Sequence, residues 1–325
     1  MLRTRRSSAV LALCATVAAA ALVGCSDSPD PDLEALTGKG SDKESGKDSG
    51  QGGSDKDSGQ PKAATFTGTK KIDVNGQQVN VSCSGTAKGD RPVVVLMHGG
   101  GDNLKKFAAL QKKLSGTDRV CSYDRLGAGA SSKPEKPQTF TSTGRVLTGV
   151  IEQIAGDRGV VLAGHSLGGL IAGRYAPEHQ DKVRGLVLMD ATSPTQIADL
   201  HREVPKDATG PGAQLRDQTL AIFRGENPEK LVVKDAKVRP AGDIPVQVIM
   251  HGVKYLAKVP QYGPGLEQAW EDGQRKWLAL SGRSALGTAQ KSEHYIYLDE
   301  PDAAVTAILQ VTAQAPAKAE PKKHN

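Results

Sequence analysis

A glycine-rich turn between two apolar segments constrains the fold of this chain more than any other feature. Residues 160–163 form an apolar run that predicts a buried strand, and a helical pattern begins at Leu170. The sequence G-H-S-L-G at 164–168 separates them. A strand that turns this sharply into a helix strains the backbone at the turn, and flanking glycines remove side chains that would clash there. We therefore expect the hydroxyl of Ser166 to project beside a helix N-terminus and to act as a nucleophile.

Residues 1–25 have the layout of an export signal. Three arginines within the first six residues precede an alanine-rich apolar run over 9–23, which is too short for a typical membrane-spanning helix. The run ends in L-V-G-C at 22–25, which resembles the bacterial lipobox. The resemblance implies that Cys25 carries acyl chains such as palmitate, which hold the exported lipoprotein on the extracytoplasmic face of the cell membrane. The alternative is an ordinary secretory signal with a chance cysteine.

Residues 26–62 contain almost nothing apolar to bury. The sequence K-D-S-G-Q occurs at 47–51 and again at 56–60. This composition predicts a disordered linker, and a disordered tail is expected over 314–325. One α/β domain is predicted over 63–313, a length that allows an ample core.

Charge and cysteine content argue against two classes of function. The formal charge of +6 is spread without a single basic stripe, so no nucleic-acid partner is expected. The four cysteines show neither C-x-x-C spacing nor a cluster with histidines, so we predict no metal and no cofactor.

Strand and helix patterns alternate along the predicted domain. An Asn-Gly turn at 75–76 joins two short strands into a hairpin. Further strands are predicted at 93–97, 119–123, 160–163, 183–189, 245–250 and 296–298, and helices at 104–114, at 146–154 and from Pro301 onward. Such alternation predicts an α/β fold with a doubly wound, mostly parallel sheet.

The alternation breaks between 193 and 243. This stretch is rich in charged residues, proline and glycine, with one clear helical fragment at 215–223. We predict a small inserted cap over the site; the alternative is a surface excursion without a role in binding.

Five motifs occur in the order typical of the α/β-hydrolase superfamily. The turn at 164–168 matches its nucleophile elbow, and H-G-G-G at 98–101 resembles its oxyanion-hole segment. The sequence Y-D-R-L-G-A-G-A-S at 123–131 resembles a turn of one large subset, which also has a strand-end acid and a late histidine, here Asp190 and His294. The resemblance covers nearly all of 70–312 and implies a serine hydrolase on this fold.

A serine nucleophile needs a base, and the resemblance assigns that role to His294 at the start of the predicted last strand. His165 adjoins Ser166 but is expected to point elsewhere across the turn. His98 is expected to brace the glycine loop. His251, after the strand at 245–250, either lines the pocket or is structural.

The base needs an acid that fixes its tautomer. The commonest family pattern places this acid after the strand at 245–250, where the present chain has no carboxylate until Glu267. Some family members use the end of the preceding strand, so we assign Asp190. Glu267, Glu271 and Asp272 are the alternatives.

Two backbone N–H groups are expected to bind the oxyanion. One belongs to Leu167, at the helix N-terminus, and the other to Gly100, with Gly99 or Gly101 as alternatives.

Cys83 and Cys121 lie in strand patterns, and a disulfide is possible if those strands are neighbours. The resemblance implies a sheet order in which they are neighbours, so we predict the disulfide; two buried thiols are the alternative.

These features predict a membrane-anchored, exported serine esterase acting on a small-molecule acyl substrate. An acyltransferase or an aminopeptidase could use the same three residues, because the acceptor is chosen elsewhere. A lipoprotein that only binds a ligand on a hydrolase fold is the alternative from another class.

Overall fold

An eight-stranded sheet forms the centre of the computed structural model, which describes residues 66–315. The strands are β1 (Gly68–Val74), β2 (Gln77–Ser84), β3 (Val93–Met97), β4 (Val120–Tyr123), β5 (Val160–His165), β6 (Val183–Met189), β7 (Val246–His251) and β8 (Ser284–Ala289). The helices are α1 (Ala108–Leu114), α2 (Phe140–Ala155), α3 (Leu167–Tyr175), α4 (Gln196–Glu203), α5 (Gly210–Phe223), α6 (Gly263–Lys276), α7 (Ile296–Asp299) and α8 (Pro301–Gln314).

Several predicted segments lie outside the described residues: the signal with Cys25, the linker, and the tail beyond 315. Within 66–315, no helix has both the length and the apolar character needed to cross a membrane.

The strand order is β1-β2-β4-β3-β5-β6-β7-β8. β1 pairs antiparallel with β2, and β2 pairs antiparallel with β4. All other neighbours are parallel. This topology confirms the predicted α/β class and the mostly parallel sheet. It also places the carboxyl ends of β3, β5, β6 and β7 at one edge, where loops of a parallel sheet form sites.

Helices cover both faces of the sheet. Side chains of β3 alternate between them, so Val95 packs in the cluster that contains Leu147 of α2 and Leu170 of α3. Leu96 points to the other face and joins the cluster of α1 and α8, including Ile308. The unbroken apolar run over 93–97 is therefore buried on both sides, as parallel strands between helices require.

The insertion between β6 and β7 contains α4 and α5. Leu200 of α4 and Leu220 of α5 pack with Leu266 of α6 in a small apolar cluster of their own. Asp199 of α4 accepts a hydrogen bond from Ser193 at 2.8 Å. The insertion is thus attached to α6 and to the end of β6, and its role as a cap stays a prediction.

The predicted last strand at 296–298 is wrong, because these residues form the helical turn α7. Ile296 and Tyr297 are adjacent and both buried, whereas Leu298 is exposed, a pattern that a strand with alternating faces does not produce. The last strand is β8, which pairs with β7 at the sheet edge. Its sequence S-A-L-G-T-A lacks a long apolar run, so the sequence pattern did not reveal it. His294 accordingly lies in the loop between β8 and α7.

The disulfide between Cys83 and Cys121 is present, which confirms the prediction. The antiparallel register of β2 and β4 places the two residues directly opposite each other, with Cα atoms 4.1 Å apart. Both side chains are buried. The bond therefore ties the edge hairpin to the parallel part of the sheet.

We expect the double variant Cys83→Ala/Cys121→Ala to lose about 2–4 kcal/mol of unfolding free energy, because the cross-link limits the unfolded chain. Denaturant unfolding of both proteins, with and without reductant, measures this loss. Reductant should destabilise only the wild type. Equal stability of the two proteins under oxidising conditions would contradict the expectation.

Candidate active site

Ser166 occupies a strained turn between β5 and α3. Its φ is 51° and its ψ is −121°, a conformation that costs a non-glycine residue free energy. Main-chain hydrogen bonds hold it: the Ser166 N–H donates to the Met189 carbonyl at 3.2 Å, and the Ser166 carbonyl accepts from Thr192 at 3.1 Å. The turn is thus fastened to the end of β6.

Both glycines of the turn are sterically required. A Cβ on Gly164 would lie 2.5 Å from the Gly168 carbonyl oxygen, and a Cβ on Gly168 would lie 2.2 Å from the Met97 carbonyl oxygen. Real Cβ atoms do not approach backbone this closely, so the strand, the helix and the end of β3 can meet only if both positions lack side chains.

Asp190 and His294 meet beside this turn. Nδ1 of His294 lies 2.7 Å from Oδ2 of Asp190. A carboxylate accepts, so Nδ1 carries the proton and Nε2 is left free to act as a base. The ring nitrogen Nε2 of His165 donates to the main-chain carbonyl of His294 at 3.0 Å. Because His165 directly precedes Ser166, this bond holds the histidine loop beside the nucleophile turn.

Asp190 is fully buried at the end of β6, with a φ of 44°. Its carboxylate also accepts hydrogen bonds from Nδ1 of His251, at 2.8 Å, and from the indole N–H of Trp270, at 2.9 Å. Burial by itself raises the pKa of Asp190, but the hydrogen bonds from His251 and His294 outweigh burial and lower it. The acid is therefore ionised at neutral pH.

The alternative acids lie elsewhere. Glu267 faces His251, with Oε1 2.8 Å from its Nε2. Glu271 pairs with Lys254 at 3.1 Å, and Asp272 accepts from Gln268 at 3.0 Å. Of the four candidate carboxylates, the structure brings only Asp190 into hydrogen-bond contact with His294.

The glycine loop after β3 lies against the N-terminus of α3. A Cβ on Gly100 would sit 3.5 Å from Cδ2 of Leu167, so the two predicted oxyanion donors belong to neighbouring segments. Leu167 is the first residue of α3, and its N–H has no carbonyl four residues earlier within the helix. Positive partial charge at a helix start favours a developing oxyanion.

Arg125 orients the glycine loop from behind. Its guanidinium donates to the carbonyls of His98 and Gly99, the latter at 2.8 Å. In a trans peptide the carbonyl and the next N–H point in opposite directions. With the Gly99 carbonyl held by Arg125, the N–H of Gly100 is directed away from Arg125.

The histidine of this loop is held in one tautomer. Nε2 of His98 accepts a hydrogen bond from the main-chain N–H of Arg125 at 3.3 Å. The ring proton is therefore on Nδ1, which donates to the Gly99 carbonyl at 2.8 Å. Burial, together with the nearby Arg125 charge, lowers the pKa of His98 to about 4. His98 is therefore neutral and braces the loop.

Part of the chain matches a known family. A family model described as alpha/beta hydrolase fold matches residues 92–216, which include Ser166 and Asp190. These residues match the alpha/beta hydrolase family, and the sheet topology of the chain is that of the α/β-hydrolase fold.

Similar proteins have several activities. The chain is 29% identical over 162 residues to a proline iminopeptidase of Pestalotiopsis fici, covering 47% of this chain and 56% of that protein. It is 30% identical over 149 residues to the human (lyso)-N-acylphosphatidylethanolamine lipase, covering 43% of each. The chain thus spans about half the length of the curated relatives it matches.

An enol-lactonase from Burkholderia xenovorans LB400 superposes with a TM-score of 0.52 at 18% identity, covering 75% of this chain and 100% of that one. This structural likeness shows the fold alone.

Sequence reasoning missed three contacts of this α/β-hydrolase site. The ring of His165 contacts that of His294, with the two ring centroids 4.5 Å apart. Trp270 of α6 donates to the carboxylate of Asp190 at the end of β6. Glu229, within the insertion, forms a bidentate pair with Arg125. No local pattern marked these contacts, because each joins residues far apart in the chain or across a turn.

We expect Glu229→Ala to destabilise the α/β-hydrolase domain by about 3–5 kcal/mol, because it leaves the buried Arg125 guanidinium without its carboxylate. Burial by itself raises the pKa of Glu229, but Arg125 outweighs burial and lowers it. The stability from this pair is therefore present at neutral pH and is lost as the pH falls.

Chemical denaturation of Glu229→Ala, compared with Glu226→Ala, checks this expectation. Glu226 pairs with Arg224, but both side chains are more than half exposed. Removing such a pair changes stability by less than about 1 kcal/mol. An equal loss of unfolding free energy in the two variants would show that the buried pair stabilises the protein no more than the exposed pair does.

Proposed function

We propose that this protein is a serine hydrolase that cleaves a carboxylic ester through an acyl-enzyme on Ser166. The observation that carries the proposal is the 2.7 Å contact between His294 and Asp190 beside the strained Ser166 turn. A buried carboxylate that fixes a histidine next to a projecting serine is the arrangement that activates a hydroxyl.

In the first step, Oγ of Ser166 attacks the substrate carbonyl carbon and Nε2 of His294 takes the hydroxyl proton. The imidazolium that forms is stabilised by Asp190. The carbonyl oxygen becomes an oxyanion, and the N–H groups of Leu167 and Gly100 stabilise it by about 3–4 kcal/mol each. The leaving alcohol then departs with the proton from His294.

In the second step, His294 removes a proton from water, and the hydroxide oxygen attacks the acyl carbon. The second oxyanion uses the same donors. When it collapses, the bond to Ser166 breaks, its oxygen regains a proton from His294, and the free carboxylic acid leaves. No atom from a cofactor or metal enters either step.

Among similar proteins, the human relative is named as a lipase, a class of enzyme that hydrolyses esters, which supports an ester substrate. The fungal relative is named as a peptidase, so peptide substrates belong in the same screen.

We also propose that the enzyme is exported and anchored to the membrane through acyl chains on Cys25. The support is the sequence alone: the basic start, the short apolar run and the L-V-G-C segment at 22–25. A lipid anchor would place the site near acyl substrates in or close to a membrane.

We expect a fluorescent phosphonate to label Ser166, because phosphonates trap activated serines by the first half of this mechanism. Peptide mapping of the labelled full-length chain checks the position. Label should disappear in Ser166→Ala and in His294→Ala. Ser193→Ala is the matched control, since Ser193 is a buried serine already bonded to the carboxylate of Asp199. Folded protein that takes no label would favour a ligand-binding role.

Labelling with a palmitate analogue in a bacterial host tests the anchor. We expect Cys25→Ser to lose the label and to leave the membrane fraction, because the thiol is the acylated group. Cys14→Ser, within the apolar run of the signal, is the control and should keep the label. A Cys25→Ser variant that stays labelled would refute the anchor.

A further inference from the structure

A row of four buried or half-buried titratable groups extends from the loop between β8 and α7 into the protein. It runs from His294 to Asp190, then to His251 at the end of β7, and ends at Glu267 on α6. Asp190, His251 and Glu267 are each less than 5% exposed. The proposed mechanism uses only the first two members and leaves His251 and Glu267 without a role.

The geometry of His251 determines its protonation. Nδ1 lies 2.8 Å from Oδ1 and 2.9 Å from Oδ2 of Asp190, and Nε2 lies 2.8 Å from Oε1 of Glu267. A neutral imidazole has one N–H, so one of its nitrogens would present a lone pair to a carboxylate. The other Glu267 oxygen accepts a hydrogen bond from the main-chain N–H of Ala257 at 3.1 Å. An imidazolium would instead donate from both ring nitrogens, one to each carboxylate.

Two carboxylates are needed because of charge balance. An imidazolium bonded to Asp190 alone would neutralise it, and a neutral pair stabilises a protonated His294 poorly. With Glu267 included, the three buried groups carry a net charge of −1. That is the charge which a lone acid provides in a serine, histidine and acid site.

We infer that His251 is an imidazolium at neutral pH that positions Asp190, and that Glu267 restores the negative charge which Asp190 needs to stabilise protonated His294. His251 occupies the strand end where the family most often places its acid. The inference deepens the proposed function and rests on it for the role of His294.

Other groups that face His251 leave this assignment in place. Burial by itself lowers the pKa of His251, but the hydrogen bonds to Asp190 and Glu267 outweigh burial and raise it to about 9. The Tyr255 ring lies 4.7 Å away, and Trp270 bonds to the same carboxylate. The nearby charges of Lys254 with Glu271, and of Lys258 with Glu293, are paired with each other at 3.1 Å.

Nitrogen-15 spectroscopy of the histidine rings in the full-length protein tests the protonation. The signal of His251 is the one missing from His251→Gln. We expect protons on both ring nitrogens at pH 8 in the wild type, and the loss of one at that pH in Glu267→Gln. Glu271→Gln is the matched control, because it removes a carboxylate from the same helix and should leave both protons. A single ring proton on wild-type His251 at pH 7 would overturn the inference.

Kinetics of the same variants test the charge role. Below the pH at which His251 loses its proton, Glu267→Gln leaves a neutral pair beside His294. We expect kcat at pH 7 to fall about fivefold, with KM changed by less than about twofold. If the loss of Glu267 lowers the stability of protonated His294 by about one pKa unit, kcat falls by at most about tenfold. At pH 9 His251 is neutral in the variant, Asp190 regains its full charge, and kcat should return to within about twofold of the wild type. A loss independent of pH would indicate a merely structural role.

The two proposals can fail separately. Absence of phosphonate label at Ser166, with a doubly protonated His251, would refute the hydrolase proposal and leave the protonation intact. Normal labelling with a singly protonated His251 would refute the present inference alone.

Discussion

The strained turn at Ser166 is the constraint on which the rest of the site depends. A positive φ at a non-glycine residue costs of order 1–3 kcal/mol, so the surrounding structure must fix it. Hydrogen bonds to Met189 and Thr192 tie the turn to the end of β6. Since Gly164 and Gly168 have no side chains, the end of β3 also approaches it closely. The same approach brings the glycine loop to the start of α3, directly after Ser166.

Buried charges then fix the two halves of the site around this turn. On one side Arg125 holds the glycine loop and is itself held by Glu229 from the insertion. On the other side Asp190 holds His294 and is held in turn by groups from β7 and α6. A buried charge is costly without a partner, so each of these groups depends on the other. The segments after β6 and β7 therefore take part in the site although they lie outside the motifs.

Local sequence patterns were sufficient to predict much of the fold. The Asn-Gly hairpin, the apolar run of β3 and the glycine turn each depend on residues adjacent in sequence, and all were predicted correctly. The segment 296–298 shows the limit of such patterns. Its apolar residues suggested a strand, but the sheet edge is taken by β8, and the pairing energy of an edge strand does not depend on an apolar run.

The sequence by itself determined the class of fold and the position of the Ser166 turn, because periodicity and glycine spacing are encoded over short stretches. The pairing of Cys83 with Cys121 followed from the family resemblance. The tertiary structure decided which carboxylate meets His294, which carboxylates His251 contacts, and how Glu229 reaches Arg125. Except for the contact between His251 and Glu267, these contacts join residues that are separated by 61 to 104 positions in the sequence. Only the packing of strands and helices brings such side chains within hydrogen-bond distance, and only burial makes their charges depend on one another.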